Sequence, residues 1–207
     1  MLITEIFHSI QGEGPLTGIP MYFVRTNRCN LRCTWCDSTY TFQGGSEMPL
    51  KDLLMKCRKT WEQWICFTGG EPMIQREALD FMSGLPEKNI LLETGGSISL
   101  ENVVTLENVT IDMDIKTPSS GEEKSLYVRN LSFLRKTDYV KFVIKDGIDY
   151  DYAKNFLFHN HLECGIVFQP AWGAEFSWIP ESIIKDGLNV RFMLQSHKFI
   201  WGEERGR

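Results

Sequence analysis

The 207 residues predict an α/β fold, an incomplete TIM-like (β/α) barrel of about six core strands with reduced helices. Short apolar runs alternate with helical stretches or long connections, the pattern of parallel strands buried on both faces. Unusual polar residues recur just after those runs, on the side where an α/β barrel builds a site from its strand-to-helix loops. A full eight-unit barrel takes roughly 250 residues, and the connection from Gly96 to Val109 is too short for a long helix, so the barrel is expected to be partial. A doubly wound open sheet is the alternative, but no glycine-rich dinucleotide fingerprint follows the first strand.

Taken in order, Ile3 to Ile10 alternates loosely and reads as an edge strand that ends in the loop Gln11-Gly12-Glu13-Gly14-Pro15. Met21 to Arg25 is the next strand. Leu50, Leu53, Leu54, Cys57 and Trp61 recur at helical spacing, so a helix with one buried face is expected from Leu50 to Trp61. Trp64 to Phe67 is a strand closed by Thr68-Gly69-Gly70-Glu71-Pro72, and a helix from about Gln75 to Leu85 leads to the strand Ile90 to Leu92, capped by Glu93-Thr94-Gly95-Gly96. Val109 to Ile115 carries Asp112, Asp114 and Lys116 towards its end. Tyr139 to Ile144 precedes a helical stretch from Tyr150 to about His161, Gly165 to Phe168 ends in Gln169-Pro170, and Val190 to Leu194 ends in Gln195-Ser196-His197-Lys198.

Nothing in this length suggests a second domain, so residues 1–207 are read as one unit with an N-terminal loop and a short C-terminal tail. The balance of 22 basic and 27 acidic residues, without a concentrated basic stretch, argues against nucleic acid as partner and favours a small molecule. Neither a signal core nor a run of membrane-spanning length is evident, so the expected compartment is the cytoplasm. In that reducing setting the six cysteines read as metal ligands or buried thiols. Cys57, Cys66 and Cys164 stand alone in apolar stretches and are expected in the core.

The remaining three form Cys29-x3-Cys33-x2-Cys36, directly after a strand. Such a loop can hold three irons of a cubane cluster, which normally takes four cysteines, and would leave one iron open. A zinc site completed by a distant ligand, a redox disulfide and buried thiols are the other readings of the same spacing.

Together with Trp35 before the last cysteine and Gly69-Gly70-Glu71-Pro72 after the next strand, this loop resembles the radical S-adenosylmethionine superfamily. The resemblance implies a 4Fe-4S cluster whose open iron is chelated by the amino and carboxylate groups of S-adenosylmethionine, the source of a 5′-deoxyadenosyl radical. It places Trp35, Cys36, Asp37, Gly70, Glu71, Asp114, Ile115, Lys116, Gln169, Pro170 and Ala171 against that cofactor. Many relatives show Ser-Pro-Lys where this chain has Asp114-Ile115-Lys116. Gly69 and Gly70 are expected where backbone must approach a ligand closely.

A narrower match runs from Glu5-Ile6-Phe7-His8-Ser9-Ile10-Gln11-Gly12-Glu13-Gly14 through Cys36-Asp37-Ser38 to Gln195-Ser196-His197-Lys198, and resembles the 7-carboxy-7-deazaguanine synthase family of queuosine and archaeosine biosynthesis. The implied reaction contracts the ring of 6-carboxy-5,6,7,8-tetrahydropterin with loss of ammonia, and regenerates the S-adenosylmethionine. Ile10, Gln11, Gly12, Glu13, Arg25, Thr68, Glu93 and His197 are then substrate contacts, with Arg25 suited to a carboxylate and Glu93 costly to bury without a partner. Ser38, with Thr39 beside it, stands where a hydroxyl binds Mg2+. No residue is assigned as acid or base. A homodimer and an external electron donor are further family expectations, and the tail from Trp201 to Arg207 is a candidate lid. Two other readings remain open: a glycyl-radical-enzyme activase of the same superfamily, and a non-catalytic metal-binding module.

Overall fold

The computed structural model describes residues 1–207. Nine strands form one sheet: β1 (Leu2–Ile10), β2 (Pro20–Thr26), β3 (Ser46–Glu47), β4 (Trp64–Gly69), β5 (Asn89–Thr94), β6 (Val109–Asp114), β7 (Tyr139–Ile144), β8 (Gly165–Pro170) and β9 (Arg191–Phe192). Their order is β3-β1-β2-β4-β5-β6-β7-β8-β9. From β2 to β9 every neighbouring pair is parallel, whereas β1 runs antiparallel to both β2 and β3. Five helices connect or follow the strands: α1 (Leu50–Lys59), α2 (Ala78–Ser83), α3 (Gly147–His159), α4 (Trp178–Asp186) and α5 (Ser196–Trp201). No helix is long and apolar enough to cross a membrane.

Strand periodicity explains how one sheet serves two purposes. Alternate residues point to opposite faces, and Val24, Ile65, Phe67, Ile90, Leu92, Ile111, Met113, Phe142 and Phe168 join the main core that α1 to α4 cover. The other face starts apolar, with Met21, Phe23, Cys66 and Leu91 packed together, and turns polar towards the C-terminal strand ends. There Arg25 and Thr68 are register partners, as are Glu93 with Asp112 and Asp114 with Lys141. Apolar floor and polar mouth are therefore alternate residues of the same strands, as in Phe23 and Arg25, Cys66 and Thr68, and Leu91 and Glu93.

The expected helices are present, with corrected ends. In α1, Leu53 and Cys57 are buried, and Asp52 in the first turn and Lys56, Arg58 and Lys59 in the last complement the helix dipole. Trp61 is not part of that face: the helix ends at Lys59, the chain turns extended at Thr60, and Trp61 is 70 % exposed. The stretch from Gln75 to Leu85 is helical only over Ala78–Ser83, because Pro72–Ile74 forms a separate 3-10 turn capped by the Glu71 carboxylate. Helix α4 was not foreseen. Pro180 is tolerated within its first turn, Ile179 and Ile183 face the core, and Gly187 ends it at φ +64. Cys57, Cys66 and Cys164 are buried.

Candidate active site

The C-terminal ends of β2 and β4 to β8, with the loops after β1, β2 and β9, surround one cavity. Cys29, Cys33 and Cys36 lie on its wall, all half-buried and unbonded to one another. Their loop is stapled to the segment after β6. Thr34 donates to the Ser119 carbonyl at 2.6 Å, Trp35 Nε1 to Ser119 Oγ at 3.2 Å, and Arg32 N to Glu122 Oε1 at 2.6 Å. Arg28 enters the loop at φ +74, a left-handed conformation unusual for a side-chain-bearing residue.

Burial pushes all three thiols up, Cys33 to about 11. Charge-compensating irons would hold them as thiolates. Nowhere in the chain do three His, Cys, Asp or Glu side chains converge tightly enough for one ion. A cubane spreads its ligands over separate irons, which suits three thiols spaced around a cavity.

The glycines after β4 are explained by the chain itself. A Cβ on Gly69 would fall 2.3 Å from Thr26 Oγ1, and one on Gly70 would fall 2.2 Å from the Arg28 carbonyl oxygen. The close approach predicted for a ligand is thus first an approach of the β4 end to the loop that carries the cysteines. Glu71 is fully buried, and its carboxylate accepts from Met73 N, Thr94 Oγ1 and Gly95 N at 2.8 to 2.9 Å. It ties the ends of β4 and β5 together and does not line the cavity.

Among residues expected against the cofactor, Trp35, Cys36, Asp37, Gly70, Asp114, Lys116, Gln169 and Ala171 line the cavity. Ile115 points into the core, and Pro170 lies behind, on a second apolar hollow with Trp172 and Phe199. Lys116 pairs with Asp114 at 2.9 Å and stands 5.7 Å from the Trp35 ring centre. Asp114 Oδ1 and Gln169 Oε1 are buried without partners. Unpaired buried oxygens beside this cavity fit a polar ligand such as S-adenosylmethionine.

All the expected substrate residues, Ile10, Gln11, Gly12, Glu13, Arg25, Thr68, Glu93 and His197, reach the same cavity. Gln11 donates to Glu93 at 2.9 Å and accepts from Glu13 N at 3.0 Å, so its amide is oriented before any ligand arrives. Arg25 donates to Glu5 Oε1 at 2.8 Å, and Tyr40 donates to the same oxygen at 3.0 Å. Burial alone would lower the Arg25 pKa; the Tyr40 phenol oxygen and the Glu5 and Glu93 carboxylates raise it instead. Ser38 lies on the wall and donates to Asp37 Oδ1 at 2.9 Å, whereas Thr39 does not line the cavity.

Asp112, Lys141 and Gln195 also line the cavity and carry no sequence-level assignment. A charge within an otherwise apolar strand, as in Val109–Asp114 and Tyr139–Ile144, is the signal that marks the first two. Arg207 from the tail reaches the wall as well, and the Arg205 guanidinium sits 3.8 Å over the Tyr40 ring.

The radical SAM superfamily model matches residues 23–145. A relative from Thermoplasma acidophilum, named 7-carboxy-7-deazaguanine synthase, is 51 % identical over the full length of both chains. The chain belongs to the 7-carboxy-7-deazaguanine synthase family. A second member, from Koribacter versatilis, is 39 % identical over 99 % of this chain and 98 % of its own. The crystal structure of QueE from Escherichia coli superposes on this chain with a TM-score of 0.75 at 22 % identity, covering 95 % of this chain and 94 % of that one. The mostly parallel sheet with few helices is the fold the two share.

Proposed function

We propose that this chain is a lyase converting 6-carboxy-5,6,7,8-tetrahydropterin to 7-carboxy-7-deazaguanine with loss of ammonia, a radical ring contraction in the biosynthesis of 7-deazapurines such as queuosine and archaeosine. The observation that carries the reading is one cavity in which Cys29, Cys33 and Cys36 share a wall with Gln11, Arg25, Thr68 and Glu93, in a chain whose relatives are named for that product.

Cys29, Cys33 and Cys36 would hold the cluster. Trp35, Asp37, Gly70, Asp114, Lys116, Gln169 and Ala171 would hold S-adenosylmethionine, with Glu71, Ile115 and Pro170 setting the backbone around it. Once bound, these two groups supply the radical that a side chain cannot.

The chain's own residues bind and orient the pterin. Gln11 and Glu93 present an amide and a carboxylate to the donor-acceptor edge of the ring, and Thr68 adds a hydroxyl. Arg25, held cationic by its neighbours, meets the substrate carboxylate in a charge-assisted pair. Ser38 offers one oxygen to Mg2+, which keeps several waters and needs few protein ligands. Gly12 and Glu13 shape the loop beneath His197. The reading includes a homodimer and an external electron donor, both resting on the resemblance, and a cytoplasmic setting, which rests on the sequence having no evident signal core or membrane-length run.

Anaerobically reconstituted protein given a reductant, S-adenosylmethionine, Mg2+ and the carboxypterin should release ammonia and 7-carboxy-7-deazaguanine. Absence of that product removes the reading, and 5′-deoxyadenosine without product leaves only the superfamily.

A further inference from the structure

Two carboxylates share one ammonium in this cavity. Lys141 Nζ stands 3.2 Å from Glu13 Oε2 and 3.7 Å from Asp112 Oδ2. Glu13 also accepts from Gln169 Nε2 at 2.9 Å and Gln195 Nε2 at 2.7 Å, with His197 Nε2 4.0 Å away. Asp112 is 1 % exposed and makes no hydrogen bond at either oxygen. Gly14 closes over it, since a Cβ there would fall 2.4 Å from Oδ2.

The charged groups around Asp112 come from every neighbouring element. Glu93 is its register partner on β5, Asp114 follows on its own strand, Lys141 stands on β7, and Glu13 reaches in from the loop after β1. Three are acidic and one is basic, and that one is the better partner of Glu13. Burial lifts the Asp112 carboxyl to about 7; Lys141 opposes the rise, and Glu93, Asp114 and Glu13 add to it. Burial also works on Glu13, but Lys141, His197 and the two amides overcome it and hold that group well below the ordinary glutamate value. Two carboxylates set apart by their surroundings are the usual arrangement for one group that stays charged and one that carries a proton.

We propose that Asp112 is a further catalytic residue of this site, the acid and then the base of the step that expels ammonia. This rests on the ring-contraction reading above. In that step the protonated Asp112 gives its proton to the departing amine as the carbon–nitrogen bond breaks. The adjacent carbon–hydrogen bond then breaks, its electron pair forms the new ring double bond, and its proton returns to Asp112. One ammonia leaves, no electron is gained or lost, and the carboxyl is restored. Glu13 stays ionised and keeps Lys141 in place.

The test compares wild type with Asp112→Asn. Loss of a general acid and base costs about 10²- to 10⁴-fold, so ammonia and product formation should fall at least about 100-fold. Transfer of deuterium from the C6 position of the pterin into S-adenosylmethionine should persist within about threefold, because it precedes the elimination. An amine-bearing isomer of the substrate should accumulate. Product within threefold of wild type, or loss of deuterium transfer together with product in a folded, iron-loaded variant, overturns the proposal. Should the variant fail to fold, carboxyl-selective NMR of the full-length wild-type chain decides: an Asp112 signal that titrates near neutrality and moves on adding the carboxypterin supports it, and one that stays ionised to pH 5 or ignores the pterin overturns it. Failure of the wild type to make product instead removes the underlying reading, so the two failures are distinct.

Discussion

Gly12 lies directly beneath His197: a Cβ on Gly12 would fall 2.3 Å from the imidazole Nδ1. The Gly12 carbonyl also accepts from Ser196 N at 2.8 Å, so the loop after β1 and the start of α5 are fitted to each other without spare space. Gly12→Ala must displace the ring or the loop. Overpacking of this kind costs about 1–3 kcal/mol, and a lower thermal midpoint with weaker carboxypterin binding by calorimetry is the expected outcome. Unchanged values for both would show that His197 yields freely.

Glu13 sets a pH dependence whose sign is fixed by its surroundings. Its carboxyl is held below the ordinary value of 4.5 in the folded chain, chiefly by Lys141 against the opposing effect of burial. The stability it contributes is therefore fully present above pH 4.5 and is lost as pH falls towards the depressed value. Glu13→Gln leaves Lys141 without its closer partner, which costs about 3 kcal/mol. Denaturant titrations should show the full gap at neutral pH and a smaller one on acidification; a gap that widens in acid contradicts the assignment.

Cys33→Ala should fold yet lose most of its iron after anaerobic reconstitution, since the cluster would keep only two of its thiolates. Cys57→Ala serves as the contrast. That thiol is fully buried in the main core, so its removal should cost about 1 kcal/mol while iron content is unchanged. Iron analysis of the two proteins separates ligand from packing cysteine.

Glu71 is a structural tie in a segment that reads as a ligand loop. Removing its carboxylate strips acceptors from Met73 N, Thr94 Oγ1 and Gly95 N. Glu71→Ala should destabilise by about 2–4 kcal/mol, and Glu71→Gln by less. Equal unfolding midpoints for Glu71→Ala and wild type would return Glu71 to the ligand side.

Ser38 and Thr39 can be told apart by magnesium. Ser38→Ala should lower Mg2+ stimulation of turnover with the cluster intact, and Thr39→Ala should not, because only Ser38 borders the cavity. The reverse result would move the cation to Thr39.

Much of the fold was legible because most of the parallel strands, such as Trp64–Gly69 and Asn89–Thr94, are short apolar runs followed by polar residues, a pattern that survives without knowledge of neighbours. The cysteine loop and the loop from Gln11 to Gly14 were legible for a local reason, since their residue types and spacing are contiguous. Asp112 and Lys141 were not. Their meaning depends on β6 and β7 standing side by side and on Glu13 arriving from the other end of the chain. The tie made by Glu71 was not legible either, because its partners Thr94 and Gly95 come from the end of a different strand.

The sheet never closes by a backbone ladder between its first and last strands, yet its mouth is bridged. Gln195 and Ser196, which follow β9, bond to Glu13 and Gly12, which follow β1. The strip proposed to meet the pterin is thus also the clasp of an otherwise open hoop. A change at Glu13 or Gly12 therefore bears on both ends of the sheet at once, although the two residues follow only its first long strand.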